Sequence, residues 1–239
     1  MGKYKALKQA CYEANMELNA LQLVIYTFGN VSAVDREAGV FAIKPSGVPY
    51  DQLRPKDMVI LDYENTLVEG ALRPSSDTKT HAWLYKNWEH IGGIAHTHAT
   101  YSVAWAQAQC DIPILGTTHA DHLTQDIPCA APMSDDLIAG NYEHNTGIQI
   151  TACFAERNLD YREVPMVLLG NHGPFTWGKD PAQAVYHSRV LEELAKMAYL
   201  TRQINPSAPR MKATLIQKHY DRKHGKDAYY GQHSSKPTN

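Results

Sequence analysis

The chain has 239 residues but only four cysteines, Cys11, Cys110, Cys129 and Cys153, and none stand at paired spacing. Such scatter builds neither a disulfide framework nor a thiolate metal site, and it fits a reducing compartment, so a cytoplasmic protein is expected. Long apolar runs are missing; none approaches the roughly 20 residues of a membrane span. The opening segment Met1-Gly2-Lys3-Tyr4-Lys5-Ala6 has no apolar stretch of the signal-peptide kind, and Ala6 stands where a myristoylation site needs Ser or Thr. Neither sign of charge dominates: the formal net charge is −2, which provides no general attraction to nucleic acid or an anionic membrane. There is no G-x-x-x-x-G-K-[ST] and no strand-linked G-x-G-x-x-G, which speaks against a nucleotide site. Internal repeats, low-complexity blocks and interior Pro/Gly/Ser linkers are also absent, so residues 1–232 are expected to form one domain and residues 233–239 a disordered tail.

Histidine, by contrast, is plentiful, with twelve in the chain. Two of them, His96 and His98, close the apolar run Ile91-Gly92-Gly93-Ile94-Ala95. Side chains at i and i+2 of a strand share a face, so these imidazoles are expected side by side, a platform for a divalent metal such as zinc. A second apolar run, Val164-Pro165-Met166-Val167-Leu168-Leu169, leads to His172, which can supply a third nitrogen and leave coordination positions open for catalysis. Taken singly, His-x-His is weak, because histidines also sit satisfied in cores. Context strengthens it: both histidine groups end buried-looking strands, and a carboxylate stands in the polar turn Ser75-Ser76-Asp77.

Apolar spacing predicts helices over residues 3–20, 77–88, 101–109, 142–157, 181–204 and 211–224, with Pro181 well placed in a first turn. Strands are expected over 23–28, 40–43 and 58–62, in the run from Ile91 that His96-Thr97-His98 closes, in the run 164–169 that leads to His172, and over 174–177. Strands mixed with flanking helices indicate a layered α/β domain.

Several polar turns are candidates for holding an anion: Gly29-Asn30, Ser46-Gly47 and Ser75-Ser76, with Lys44 adding charge. Each alone is better read as a plain turn. In Thr117-Thr118-His119-Ala120-Asp121, Asp121 is a candidate acid/base and His119 a candidate for orienting a ligand or binding metal, but a capped turn with a surface carboxylate fits as well. The run Lys218-His219-Tyr220-Asp221-Arg222-Lys223-His224 is basic, which at the end of a helix usually marks a solvated face. Tyr229 and Tyr230 beyond it make sense if this segment docks on something.

Taken together, these motifs carry a resemblance. Thr27-Phe28-Gly29-Asn30-Val31-Ser32, Ile43-Lys44-Pro45-Ser46-Gly47-Val48, Pro74-Ser75-Ser76-Asp77-Thr78, Gly93-Ile94-Ala95-His96-Thr97-His98 and Gly116-Thr117-Thr118-His119-Ala120-Asp121 stand in one order. His172-Gly173-Pro174-Phe175, Lys218-His219-Tyr220 and Ala228-Tyr229-Tyr230-Gly231-Gln232 continue it. Over residues 5–232 the chain resembles the class II aldolase/adducin family, and within it the pentulose-phosphate 4-epimerases.

The resemblance implies a layered α/β/α fold with a central, largely antiparallel sheet. It implies one zinc per subunit on His96, His98 and His172, with Asp77 an additional or exchangeable ligand. Asn30, Lys44, Ser46, Gly47, Ser75 and Ser76 correspond to the substrate and phosphate pocket. Asp121 and Tyr230 correspond to an acid/base pair, with His219 supporting it. The implied assembly is a homotetramer with active sites between subunits. The implied reaction is C4 epimerisation of a pentulose phosphate; the alternatives are a sugar-phosphate aldolase of the same family and a non-catalytic adducin-like module. Family aldolases carry Glu near Asp77, which favours the epimerase. Two departures from the family pattern, His122-Leu123-Thr124-Gln125 and Leu169-Gly170-Asn171, bear on substrate choice.

Overall fold

The computed structural model describes residues 2–226 and 228–230. Eight strands form one sheet in the order β4-β3-β2-β1-β5-β8-β7-β6. These are β1 (Asn30–Asp35), β2 (Val40–Ile43), β3 (Val59–Asp62), β4 (Leu67–Glu69), β5 (Gly93–His96), β6 (Cys129–Ala130), β7 (Met166–Leu169) and β8 (Pro174–Gly178). All neighbouring pairs are antiparallel except β6 with β7. The fold is therefore the layered α/β arrangement with a largely antiparallel sheet that was expected.

Strand alternation explains the layers. On β2, Phe41 and Ile43 join a core with Ile94, Phe175 and Trp177, while Val40 and Ala42 join a second core with Val31, Ala33 and Ala95. The first core is covered by α2 (Thr78–Asn87) and α6 (Tyr142–Glu156), and the second by α1 (Lys5–Ala20) and the start of α7 (Pro181–Ile204). Cys11, Ala14 and Leu18 supply the buried stripe of α1 at helical spacing. Asp180 caps α7 by accepting from the Gln183 backbone N–H, with Pro181 in the first turn. The remaining helices are α3 (Thr100–Gln107), α4 (Thr117–Ala120), α5 (Asp135–Ala139) and α8 (Ala213–His224).

The expected strand over 23–28 is not formed. Leu23 and Val24 are buried, but Ile25, Tyr26 and Phe28 are exposed, and Gln22 and Tyr26 take positive φ. This segment is a loop that swings over one end of the sheet, and the strand lies just after it as β1. The expectation missed β1 because Asn30 and Ser32 interrupt its apolar character, although both are buried. Gly29 joins loop to strand at φ +73, where a Cβ would lie 2.5 Å from Val24 Cγ1 and 2.9 Å from the His96 carbonyl. Only glycine fits that approach. The short β4, α4 and α5 were also not anticipated. The expected tail, 233–239, lies outside the described residues.

Candidate functional site

The sheet places Asn30 of β1 directly opposite His96 at the end of β5, and His96 opposite Phe175 of β8. His98 is not on the strand with His96, because β5 ends at His96. The chain turns there toward α3, and the two imidazoles still meet, with Nε2 to Nε2 at 3.1 Å. His172 likewise sits in the turn between β7 and β8, not at a strand end. Asn171 at φ +64 makes that turn possible, and its backbone N–H donates to the Ala106 carbonyl at 2.9 Å. The three histidines offer nitrogens that all lie within 4.8 Å of one another.

The surroundings suit a metal. His96 is buried, stacks on Phe175 at 4.2 Å, and donates from Nδ1 to the Pro174 carbonyl at 2.9 Å. That bond leaves Nε2 as a lone pair facing the other two rings, the outer contact that metal-binding histidines generally have. Burial pushes the His96 imidazole down to about 3, and His98 and the Pro174 carbonyl add opposing smaller effects. Burial first, then the nearby His96, takes His172 down to about 4, and burial also lowers His98. All three are therefore neutral at pH 7, the form that binds a cation. Two nitrogens at zinc-ligand distance and tetrahedral angle lie roughly 3.4 Å apart, close to the separation of the His96 and His98 nitrogens.

One cavity of about 630 Å³ contains these histidines together with Asn30, Lys44, Ser46, Gly47, Ser75, Ser76 and Asp77. Every residue that the resemblance assigned to metal or substrate thus lines a single space. The two hydroxyl turns are tied to each other: Ser46 N–H donates to the Arg73 carbonyl at 2.9 Å and Ser75 N–H to the Lys44 carbonyl at 3.0 Å. Gly47 keeps φ +69 at the rim. Lys44 is only 1% exposed; its Nζ has two long contacts, the Thr27 and Pro45 carbonyls at 3.3 and 3.4 Å, and lies 4.8 Å from the centre of the Tyr50 ring. Desolvation lowers its pKa to about 8, and no carboxylate pairs with it among the described residues. A buried ammonium with so little compensation is prepared for an anion. Asp77 precedes α2 and accepts from Asn30 Nδ2 at 2.6 Å; its carboxylate lies outside the tight histidine group but within the same cavity. Tyr142 and Glu143 also line it, and Tyr142 OH is 3.4 Å from His172 Nδ1. Sequence reasoning missed both, because they open α6 with no motif around them.

Asp121, His219 and Tyr230 gather elsewhere, where α4 meets α8. Asp121 takes His219 Nδ1 at 2.9 Å and the Arg222 guanidinium at 3.0 and 2.7 Å. Burial raises its carboxyl, but the Arg222 and His219 hydrogen bonds together outweigh that and hold it below the usual range. Tyr230 is exposed, with Arg222 4.8 Å and Lys223 4.7 Å from its ring. None of the three lines the histidine cavity of its own chain. Arg222, which binds Asp121 most fully, belonged to the basic run read as a solvated face. His119 is a core residue, buried and 3.2 Å from the Gln125 carbonyl, and is not part of the group of three histidines.

A family model described as "Class II Aldolase and Adducin N-terminal domain" matches residues 9–199. The chain belongs to the class II aldolase and adducin family. Among solved members of this fold, an L-fuculose 1-phosphate aldolase superposes with TM-score 0.75 at 23% identity, covering 91% of this chain and 95% of that one. The L-fuculose-1-phosphate aldolase of Thermus thermophilus gives 0.63 at 25% identity, with 86% and 98% covered. A sugar-phosphate aldolase from Thermotoga maritima gives 0.66 at 15% identity, with 89% and 100% covered. The family and the eight-stranded fold are thereby established.

Proposed function

We propose that this class II aldolase-family protein is a metal-dependent L-ribulose-5-phosphate 4-epimerase, interconverting L-ribulose 5-phosphate and D-xylulose 5-phosphate. The observation that carries the reading is the single cavity with three neutral imidazoles at one side and the under-compensated Lys44 at another. That is a site for a sugar phosphate whose oxygens meet a metal and whose phosphate meets an ammonium. The named neighbours act on sugar phosphates, which supports the substrate class.

The substrate's own chemistry dictates the route. With the carbonyl at C2, the hydrogen on C4 is not acidic, so proton abstraction there cannot invert the centre. Taking the proton from the C4 hydroxyl instead breaks the C3–C4 bond, giving a C1–C3 enediolate and glycolaldehyde phosphate. Turning the aldehyde by half a rotation and re-forming the bond yields the other epimer. A divalent ion on His96, His98 and His172, zinc being the natural candidate for this donor set, supplies Lewis-acid stabilisation of the negative charge, with Asp77 a further or exchangeable ligand. Lys44, Ser46, Gly47, Ser75 and Ser76 hold the phosphate while the aldehyde turns, and Asn30 fixes Asp77. Each face of the aldehyde needs its own proton carrier, and Asp121 and Tyr230, with His219 on Asp121, meet that need.

Because those residues stand apart from the cavity of their own chain, the reading includes a homotetramer in which each α8 end serves a neighbour's metal site. The second reading is a sugar-phosphate aldolase, favoured by the named neighbours. Asp77, where family aldolases carry Glu, and the built Asp121 cluster support the epimerase. Incubation of the metal-loaded protein with L-ribulose 5-phosphate should give D-xylulose 5-phosphate without added nicotinamide cofactor. Release of dihydroxyacetone and glycolaldehyde phosphate as the main products would assign the aldolase instead.

A further inference from the structure

Behind the metal cavity lies a buried hydrogen-bond chain that the reaction described above does not use. His81 is on α2 and fully buried, one helical turn beyond Asp77. Its Nδ1 is 2.7 Å from Ser32 Oγ, and Ser32 Oγ is 2.7 Å from Tyr85 OH. Ser32 and Asn30 are two residues apart on β1 and so share a sheet face, the face that His81 covers. Across that face stand His96, paired with Asn30, and Phe175, whose ring is 6.0 Å from that of His81.

Counting donors fixes the tautomer. Tyr85 OH has Ser32 as its hydrogen-bond partner, so its proton goes to Ser32 Oγ. Ser32 then gives its single proton to His81 Nδ1. In either other arrangement, with His81 Nδ1 as donor, two buried groups are left open, a hydroxyl proton of Tyr85 or Ser32 and the Nε2 lone pair, whereas this one leaves only the Nε2–H open. The neutral ring therefore carries its hydrogen on Nε2. That nitrogen is one of the few buried side-chain polar atoms without a partner among the described residues; Asn30 Oδ1 is another. One is a donor and the other an acceptor. Asn30 Oδ1 is free because Nδ2 is committed to the Asp77 carboxylate at 2.6 Å.

We infer that His81 is a positioning residue of the metal cavity: its Nε2–H, linked to Asn30 Oδ1 through one buried water, holds the Asn30 amide and thereby aims Asp77 at the metal. The chain Tyr85–Ser32–His81–Asn30–Asp77 runs from the core to the site. It explains why a histidine and two hydroxyls are buried beside the apolar Phe41, Ile94 and Phe175. Half-satisfied networks are costly, and a water between the unpartnered His81 Nε2 and Asn30 Oδ1 would satisfy both.

The inference rests on the metal-site reading; two of its measurements need no substrate. In the wild-type apo protein, ¹⁵N NMR of the histidine rings should show His81 as the neutral Nε2–H tautomer; an Nδ1–H tautomer overturns the proposal. Cobalt(II) loaded in place of the native metal reports the ligand field by its visible spectrum. His81→Leu should alter that spectrum and weaken cobalt binding about 10-fold or more, the size found for partners that orient metal ligands. His81→Gln, which keeps a donor, should restore much of both. With substrate, His81→Leu should lower kcat about 10- to 100-fold with little change in KM, since the phosphate contacts are untouched.

In an Asn30→Ala background the same substitution should have no further effect on the cobalt spectrum. If His81→Leu and His81→Gln behave alike, or the effect persists without Asn30, His81 is only structural. Should His81→Leu fail to fold, Ser32→Ala releases the tautomer lock and must change the cobalt spectrum in its place. If the protein proves to be an aldolase, the tautomer and cobalt results still decide the inference.

Discussion

Replacing Lys44 with Met should make the protein more stable and a worse enzyme at once. The folded state holds a 1% exposed lysine whose ammonium meets two carbonyls at 3.3 and 3.4 Å and the Tyr50 ring at 4.8 Å, with no carboxylate beside it among the described residues. Its pKa falls from 10.5 to about 8, a shift corresponding to about 3 kcal/mol against the charged form. The ammonium end borders an open cavity, and solvent there reduces the burden to roughly 1–2 kcal/mol. Met fills the same stem without the charge. In a domain of this size Lys44→Met should then raise Tm by about 2–8 °C at pH 7. The same change removes a charge-assisted contact with phosphate of about 1.5–3 kcal/mol, so KM for the phosphorylated substrate should rise roughly 10- to 150-fold. The pH dependence has a definite sign. The unfolded chain keeps this proton to 10.5 while the folded protein releases it near 8. The penalty is therefore full below pH 8 and relieved as pH rises toward 10.5, so the Tm advantage of the variant should shrink over that window. In the wild type, kcat/KM should decline as pH passes 8. Calorimetry and initial rates on both proteins test this. A lower Tm with unchanged KM would show that Lys44 is a structural group and that the phosphate binds elsewhere.

Removal of metal by a chelator should abolish activity, and elemental analysis of the native protein should find about one divalent ion per chain. The apo protein should also be sensitive to acid. His81 and His96 fall to about 3 through burial, so their neutral forms contribute stability that is complete above pH 6.5 and is lost as pH falls toward 3. Each should account for up to about 1.4 kcal/mol per pH unit in that window, and a flat denaturant midpoint from pH 7 to 4.5 would contradict the burial argument. Asp121→Asn and Tyr230→Phe should each reduce kcat by about 10²-fold or more while the metal stays bound; a wild-type rate in either would remove that residue from catalysis. His96→Asn and Tyr230→Phe chains, each nearly inactive alone, should regain activity when refolded together, because about a quarter of sites in random mixtures are intact. Proven mixed oligomers without recovery would place metal and tyrosine in one chain's site.

Much of this was legible in the residue order. The α1, α2, α6 and α7 helices follow from apolar spacing, and β2, β3, β5 and β7 from short buried runs. The candidate metal triad could be named because His96, His98 and His172 each follow such a run. What the sequence determined by itself is local: which segments bury a face, where turns interrupt them, and which residue types bring chemistry. What only the tertiary structure decided is meeting and separation. Ordered side by side in the sheet, β1, β5 and β8 bring Asn30, His96 and the turn carrying His172 to one end. His98 joins them because the chain bends after β5, not because of strand periodicity. The strand β1 was illegible for a physical reason. Asn30 and Ser32 look like surface residues until their partners, Asp77, His81 and Tyr85, arrive from α2 and its approach, 47 to 53 positions away. Burial of a polar side chain depends on a partner, and a partner distant in sequence is chosen by packing, which no local pattern records.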